Sequence, residues 1–96
     1  MHGMKILLLE DDPILSEIIE EFLCEHDYHV ALFYDGQEAL DALFVDKFDI
    51  LVLDINVPRL SGFELLKALK EAKIHTPTIF ITSLSQINDV KKGFAL

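Results

Sequence analysis

The sequence has one cysteine, Cys24, so no internal disulfide can hold the fold. Cys24 falls at the edge of a helical stripe with no basic neighbour in sequence to favour a thiolate, and it reads as structural. Basic residues are scarce as well. Eight Lys and Arg stand against seventeen Asp and Glu, for a formal net charge of −9. Phosphate backbones are held by clustered cations, so this balance speaks against nucleic-acid binding by this segment. No apolar run approaches the roughly 20 residues that cross a bilayer. The stretch Met4-Lys5-Ile6-Leu7-Leu8-Leu9 resembles the start of a signal peptide, but Glu10, Asp11 and Asp12 end it too soon. The expectation is a soluble, cytoplasmic chain with no membrane contact. Glycine is missing from the first strand-to-helix turn, Glu10-Asp11-Asp12-Pro13, which therefore neither admits nor attracts a nucleotide phosphate. None of the four histidines (His2, His26, His29, His75) has a spacing that suggests a metal pair.

Apolar material is plentiful. Hydrophobic residues make up 51% of the 96, enough for one small α/β domain and too much for a disordered chain. Met1-His2-Gly3 reads as a leader, and residues 4–96 as the domain. Short apolar runs occur at Lys5 to Glu10, His29 to Phe33, Asp49 to Leu53 and Thr78 to Ile81. Helical spacing fills the gaps between them. Leu15, Ile18, Ile19, Phe22 and Leu23 follow an i, i+3, i+4, i+7, i+8 stripe, with Pro13 suited to the first helical position after Asp12. Asp35 with Glu38, and Ser61 with Glu64, are spaced as capping boxes for a second and a third helix. Their stripes are Ala39, Leu40, Leu43 and Phe44, then Leu65, Leu66 and Leu69. Ser85 would start a fourth helix carrying Ile87, Val90 and Phe94. Strands as continuously apolar as Ile50-Leu51-Val52-Leu53 suit a parallel sheet buried on both faces. Right-handed crossovers then give a doubly wound α/β sheet.

Three of these strands end in polar side chains: Glu10-Asp11-Asp12, Asp54, and Thr82-Ser83. Parallel strands place such ends on one edge, the carboxyl edge, where doubly wound folds bind ligands. Taken alone, Asp11-Asp12 equally suits an N-cap and a solvated neighbour. Asp54 shifts the balance, because a buried strand rarely ends in a carboxylate without a reason. Asp11, Asp12 and Asp54 crowded together would oppose one another's ionisation, and a hard divalent cation relieves that opposition. Oxygen ligands with room for water suit Mg²⁺ better than zinc. The backbone carbonyl of Asn56 is placed to complete the metal shell. An ionised Asp54 beside the cation can act as a nucleophile on phosphorus, with the Thr82 hydroxyl donating a hydrogen bond to the bound phosphoryl group.

In order and spacing, Asp11-Asp12 after an apolar strand, Asp54-Ile55-Asn56-Val57-Pro58, Ser61-Gly62, and Thr82 closing the strand after Pro77 resemble the receiver domains of two-component response regulators. The likeness runs from Met4 to Leu96. It implies a flavodoxin-like topology and Mg²⁺ held with the help of Asp11 and Asp12. It also implies phosphorylation of Asp54 by a histidine kinase or phosphotransfer protein, and a switch through Thr82 that an output domain, often one that regulates transcription, reads. Such a domain signals; it is not an enzyme.

The departures from the family pattern are equally specific. Receivers carry a lysine, usually followed by proline, and a switch aromatic on a fifth strand, and neither has a counterpart here. Lys91 and Lys92 fall too early, on the fourth helical pattern. The expectation is therefore a receiver truncated after its fourth helix, missing roughly 25 residues of a βα unit. Thr78 to Ile81 would then be a bare edge strand that invites self-association through the fourth strand and helix. Two rival functions remain. A phosphohydrolase of the haloacid dehalogenase kind wants an Asp two residues after the nucleophile, where this chain has Asn56. A pseudo-receiver would keep the fold as a phosphorylation-independent interaction module.

Overall fold

The computed structural model describes residues 3–55 and 60–81. Seven elements alternate: β1 (Lys5–Leu9), α1 (Pro13–Glu25), β2 (His29–Phe33), α2 (Gly36–Val45), β3 (Ile50–Asp54), α3 (Gly62–Glu71) and β4 (Thr78–Ile81). All strand pairings are parallel, in the order β2-β1-β3-β4. The doubly wound α/β sheet expected from the apolar runs is present. The fourth helix expected from Ser85, with Ile87, Val90 and Phe94, lies outside the described residues.

Side-chain alternation along the central strands builds two cores. Leu7 and Leu9 of β1 join Leu51 and Leu53 of β3 on one face, against Ala39 and Leu43 of α2 and Leu65 and Leu69 of α3. Ile6, Leu8 and Val52 point to the other face, where Ile19 and Leu23 of α1 cover them. A period of two on a strand requires this division, and both faces of β1 and β3 are consequently apolar.

Helix starts follow local chemistry. Asp12 caps α1, its Oδ1 accepting the N–H groups of Ile14 (2.9 Å) and Leu15 (3.1 Å), with Pro13 as the first helical residue. Asp35 accepts the Glu38 N–H at 3.0 Å and is the cap of α2, the position that its spacing from Glu38 suggests. Ser61 and Glu64 form the reciprocal capping box on α3, at 3.2 and 3.4 Å. The stripe read for α1 is only partly a core face. Leu15, Ile19 and Leu23 are half-buried and Ser16 is buried, whereas Ile18 and Phe22 are exposed, with Ile14 beside them. Among the described residues α1 is the one helix on that sheet face, and it leaves part of its wide stripe uncovered. Phe44, also read as core, is exposed at the end of α2, and Cys24 is an exposed free thiol.

Candidate functional site at the carboxyl edge

The strand order reverses between β1 and β3: the chain leaves β1 toward β2 on one side and returns to β3 on the other. At such a switch point the crossover connections diverge and leave a crevice beyond the strand ends. Glu10, Asp11 and Asp54 meet there. One carboxylate oxygen from each can be chosen so that all lie within 4.8 Å of one another. Glu10 and Asp54 are buried, at 3% and 5% exposure, and Asp11 is exposed.

Register explains why these groups converge. Ile6 pairs with Ile50 and Leu8 with Val52, all on one face. One further step of two residues on each strand reaches Glu10 and Asp54, side by side on that face. Backbone bonds hold the turn that follows. The Glu10 N–H donates to the Phe33 carbonyl at 3.0 Å, extending the ladder with β2. Its Oε2 accepts the Asp12 N–H at 3.0 Å.

Burial raises the Glu10 pKa from its ordinary 4.5 to about 7. The Asp12 N–H opposes that rise, while a hydrogen bond to Asp54 and the charges of Asp54 and Asp11 add to it. Below about pH 7 Glu10 therefore keeps its proton when nothing else neutralises the cluster. The donor set contains only oxygen, partly desolvated and open on the Asp11 side. That fits a hard divalent cation that keeps several waters, and it does not fit a soft metal wanting Cys or His.

The structure brings two of the expected acids together, Asp11 and Asp54, and adds Glu10. Asp12 is the α1 cap and does not belong to the three-acid group. The adjacent aspartate pair after the strand gives no hint of Glu10. The alternation Ile6, Leu8, Glu10 beside Ile50, Val52, Asp54 is the signal that points to it. Asn56 and Thr82 lie outside the described residues, although Thr82 directly follows Ile81, the residue paired with Asp54.

Comparison with known proteins decides the family. Residues 6–96 match the response regulator receiver domain. The chain belongs to that family. The receiver is 44% identical over 93 residues to the transcriptional regulatory protein CrdR of Helicobacter pylori, covering 96% of this chain and 44% of that protein. It therefore spans less than half the length of this relative. Among solved structures, the chemotaxis response regulator CheY4 of Vibrio cholerae superposes with a TM-score of 0.83 at 27% identity, covering 97% of this chain and 79% of that one. TrrA of Thermotoga maritima, in complex with Mg(2+)-BeF, superposes at 0.79 with 28% identity, covering 94% and 79%. Receivers are signalling modules of two-component systems, generally not enzymes, and interact with kinases and output domains. Among the described residues of this receiver, no helix is long and apolar enough to cross a membrane.

Proposed function

We propose that the chain accepts a phosphoryl group on Asp54 from a phosphohistidine donor on a histidine kinase or phosphotransfer protein, and passes the signal to an output partner in the cytoplasm. The observation that carries this reading is the buried carboxylate of Asp54 within 4.8 Å of two further acids at the switch point. Glu10, Asp11 and Asp54 are the side chains that would hold Mg²⁺, with the Asn56 carbonyl as a further oxygen from the following loop. When bound, the cation supplies charge neutralisation for the carboxylates and for the incoming phosphoryl oxygens. The Mg²⁺ in the related TrrA complex supports that choice of metal.

An oxygen of Asp54 attacks phosphorus, the phosphorus–nitrogen bond to the donor imidazole breaks, and that nitrogen keeps the bonding pair. Burial of Asp54 limits the waters that compete for the phosphoryl group, and the β3 backbone holds the carboxylate in line. The Thr82 hydroxyl, next in sequence after the residue paired with Asp54, donates to the new phosphoryl oxygens. Asp12 fixes the start of α1 and thereby the turn that presents Asp11. Phosphorylation then biases the Thr82 segment between two arrangements, which the output partner reads as a population shift. Similarity to transcriptional regulators makes transcription the expected output.

Incubation with Mg²⁺ and acetyl phosphate followed by intact-mass measurement tests the reading. A gain of one phosphoryl group that disappears in Asp54→Asn and on removal of Mg²⁺ is expected. No gain in the wild type would favour the pseudo-receiver, a module recognised without phosphorylation.

A further inference from the structure

Two glycines at the carboxyl edge are needed for space and not for backbone conformation. Gly36 and Gly62 are the first residues of α2 and α3, each directly after its N-cap, and both are buried. No described glycine has a positive φ, so alanine could adopt either backbone. What an alanine would lack is room. A Cβ on Gly62 would lie 2.6 Å from the carbonyl oxygen of Asp54, 3.4 Å from its carbonyl carbon and 3.3 Å from Cε1 of Phe80.

The nearest of these obstacles is backbone, which cannot swing aside. The Phe80 ring is confined as well, since Phe80 pairs with Leu53 and its ring lies 5.1 Å from that of Phe63. The Gly62 N–H also donates to the Ile55 carbonyl at 3.3 Å, so the first turn of α3 is seated on the end of β3. Gly36 makes a parallel approach to Leu60, whose carbonyl oxygen would be 1.8 Å from an added Cβ. Backbone contact thus runs from Asp54 through Gly62 and Leu60 to the start of α2.

We infer that Gly62 is a positioning residue for Asp54, and that Gly36 supports it one contact further away. The inference rests on the phosphoacceptor reading of Asp54. A methyl group at position 62 pushes against the peptide of the phosphoacceptor itself, so its carboxylate moves relative to Glu10 and Asp11. A misplacement of about 1 Å in a reacting group can cost about 100-fold in rate.

The test compares wild type, Gly62→Ala, Gly36→Ala and Leu43→Val, the last a buried α2 residue of the core used to match a loss of stability. Phosphorylation by acetyl phosphate is followed by intact mass across a Mg²⁺ titration, and Mg²⁺ binding is measured separately by calorimetry. Gly62→Ala is expected to lower the rate at saturating Mg²⁺ by about tenfold or more and to weaken Mg²⁺ binding. Gly36→Ala should do the same to a smaller extent, and Leu43→Val should keep both near wild type. A Gly62→Ala protein with the wild-type rate and Mg²⁺ dependence, or one no worse than Leu43→Val, overturns the inference. If Gly62→Ala does not fold, Gly62→Ala with Phe80→Leu removes the ring contact and leaves the Asp54 contact, so a slow double variant supports the inference and a wild-type rate overturns it. If wild type takes up no phosphoryl group, the phosphoacceptor reading fails. Mg²⁺ binding alone then decides whether Gly62 positions the acids: weakening in Gly62→Ala but not in Leu43→Val supports it, and equal binding overturns it.

Discussion

Glu10 is where residue-scale chemistry is most exposed to measurement. Its pKa is raised, so between about 4.5 and about 7 the folded chain keeps a proton that the unfolded chain has lost. Folding then binds protons, and stability falls as pH rises through that window. The metal-free protein should therefore be measurably less stable at pH 7 than at pH 4.5. Glu10→Gln should flatten the dependence, which urea denaturation at pH 5 and pH 8 with a chelator present will check. Asp12, by contrast, acts as a cap. Asp12→Ala should destabilise by about 1 kcal/mol in the same assay, as loss of a capping oxygen usually does. Adjacency in sequence favours Asp11-Asp12 as the ligand pair, and only side-chain direction separates them. Asp12 turns its oxygen back onto the amides of its own helix, whereas Glu10 continues the inward alternation of the strand.

Elements were readable wherever one interaction dominates. Apolar runs place all four described strands to within a residue, and the spacing of Ser61 and Glu64 finds the start of α3 because the capping box is wholly local. Asp54 is the last residue of β3 and not the first beyond it, and strand pairing with β4 at Ile81 is what extends the strand to it. The α1 stripe is less legible, since periodicity shows which residues share a face but not how much of that face is covered. Leu23 packs on Ile6, Leu8 and Val52 while Ile18 is 59% exposed. Leu23→Ala should therefore cost about 2 kcal/mol or more, and Ile18→Ala should stay within about 0.5 kcal/mol. Equal losses in thermal or urea unfolding would mean that the whole stripe is buried.

At the scale of the molecule, topology turns a linear pattern into a site. The order β2-β1-β3-β4 makes β1 and β3 neighbours and brings together Glu10 and Asp54, which are 44 positions apart in sequence, at about the distance needed to share a cation. The same order leaves β4 on an outer edge of the described sheet, with Ile79 55% exposed. Open apolar edges pair with other strands. Sedimentation at rising concentration should show association that Ile79→Lys reduces, and a wild type that stays monomeric would remove this expectation. The acid cluster itself is tested most directly by calorimetric titration of Mg²⁺ at pH 7 into wild type, Asp11→Asn, Asp12→Asn and Asp54→Asn. One bound cation is expected in wild type and in Asp12→Asn, with binding lost or much weakened in Asp11→Asn and Asp54→Asn. Absence of binding in wild type, or a loss in Asp12→Asn as deep as that in Asp11→Asn, would contradict a site built from Glu10, Asp11 and Asp54.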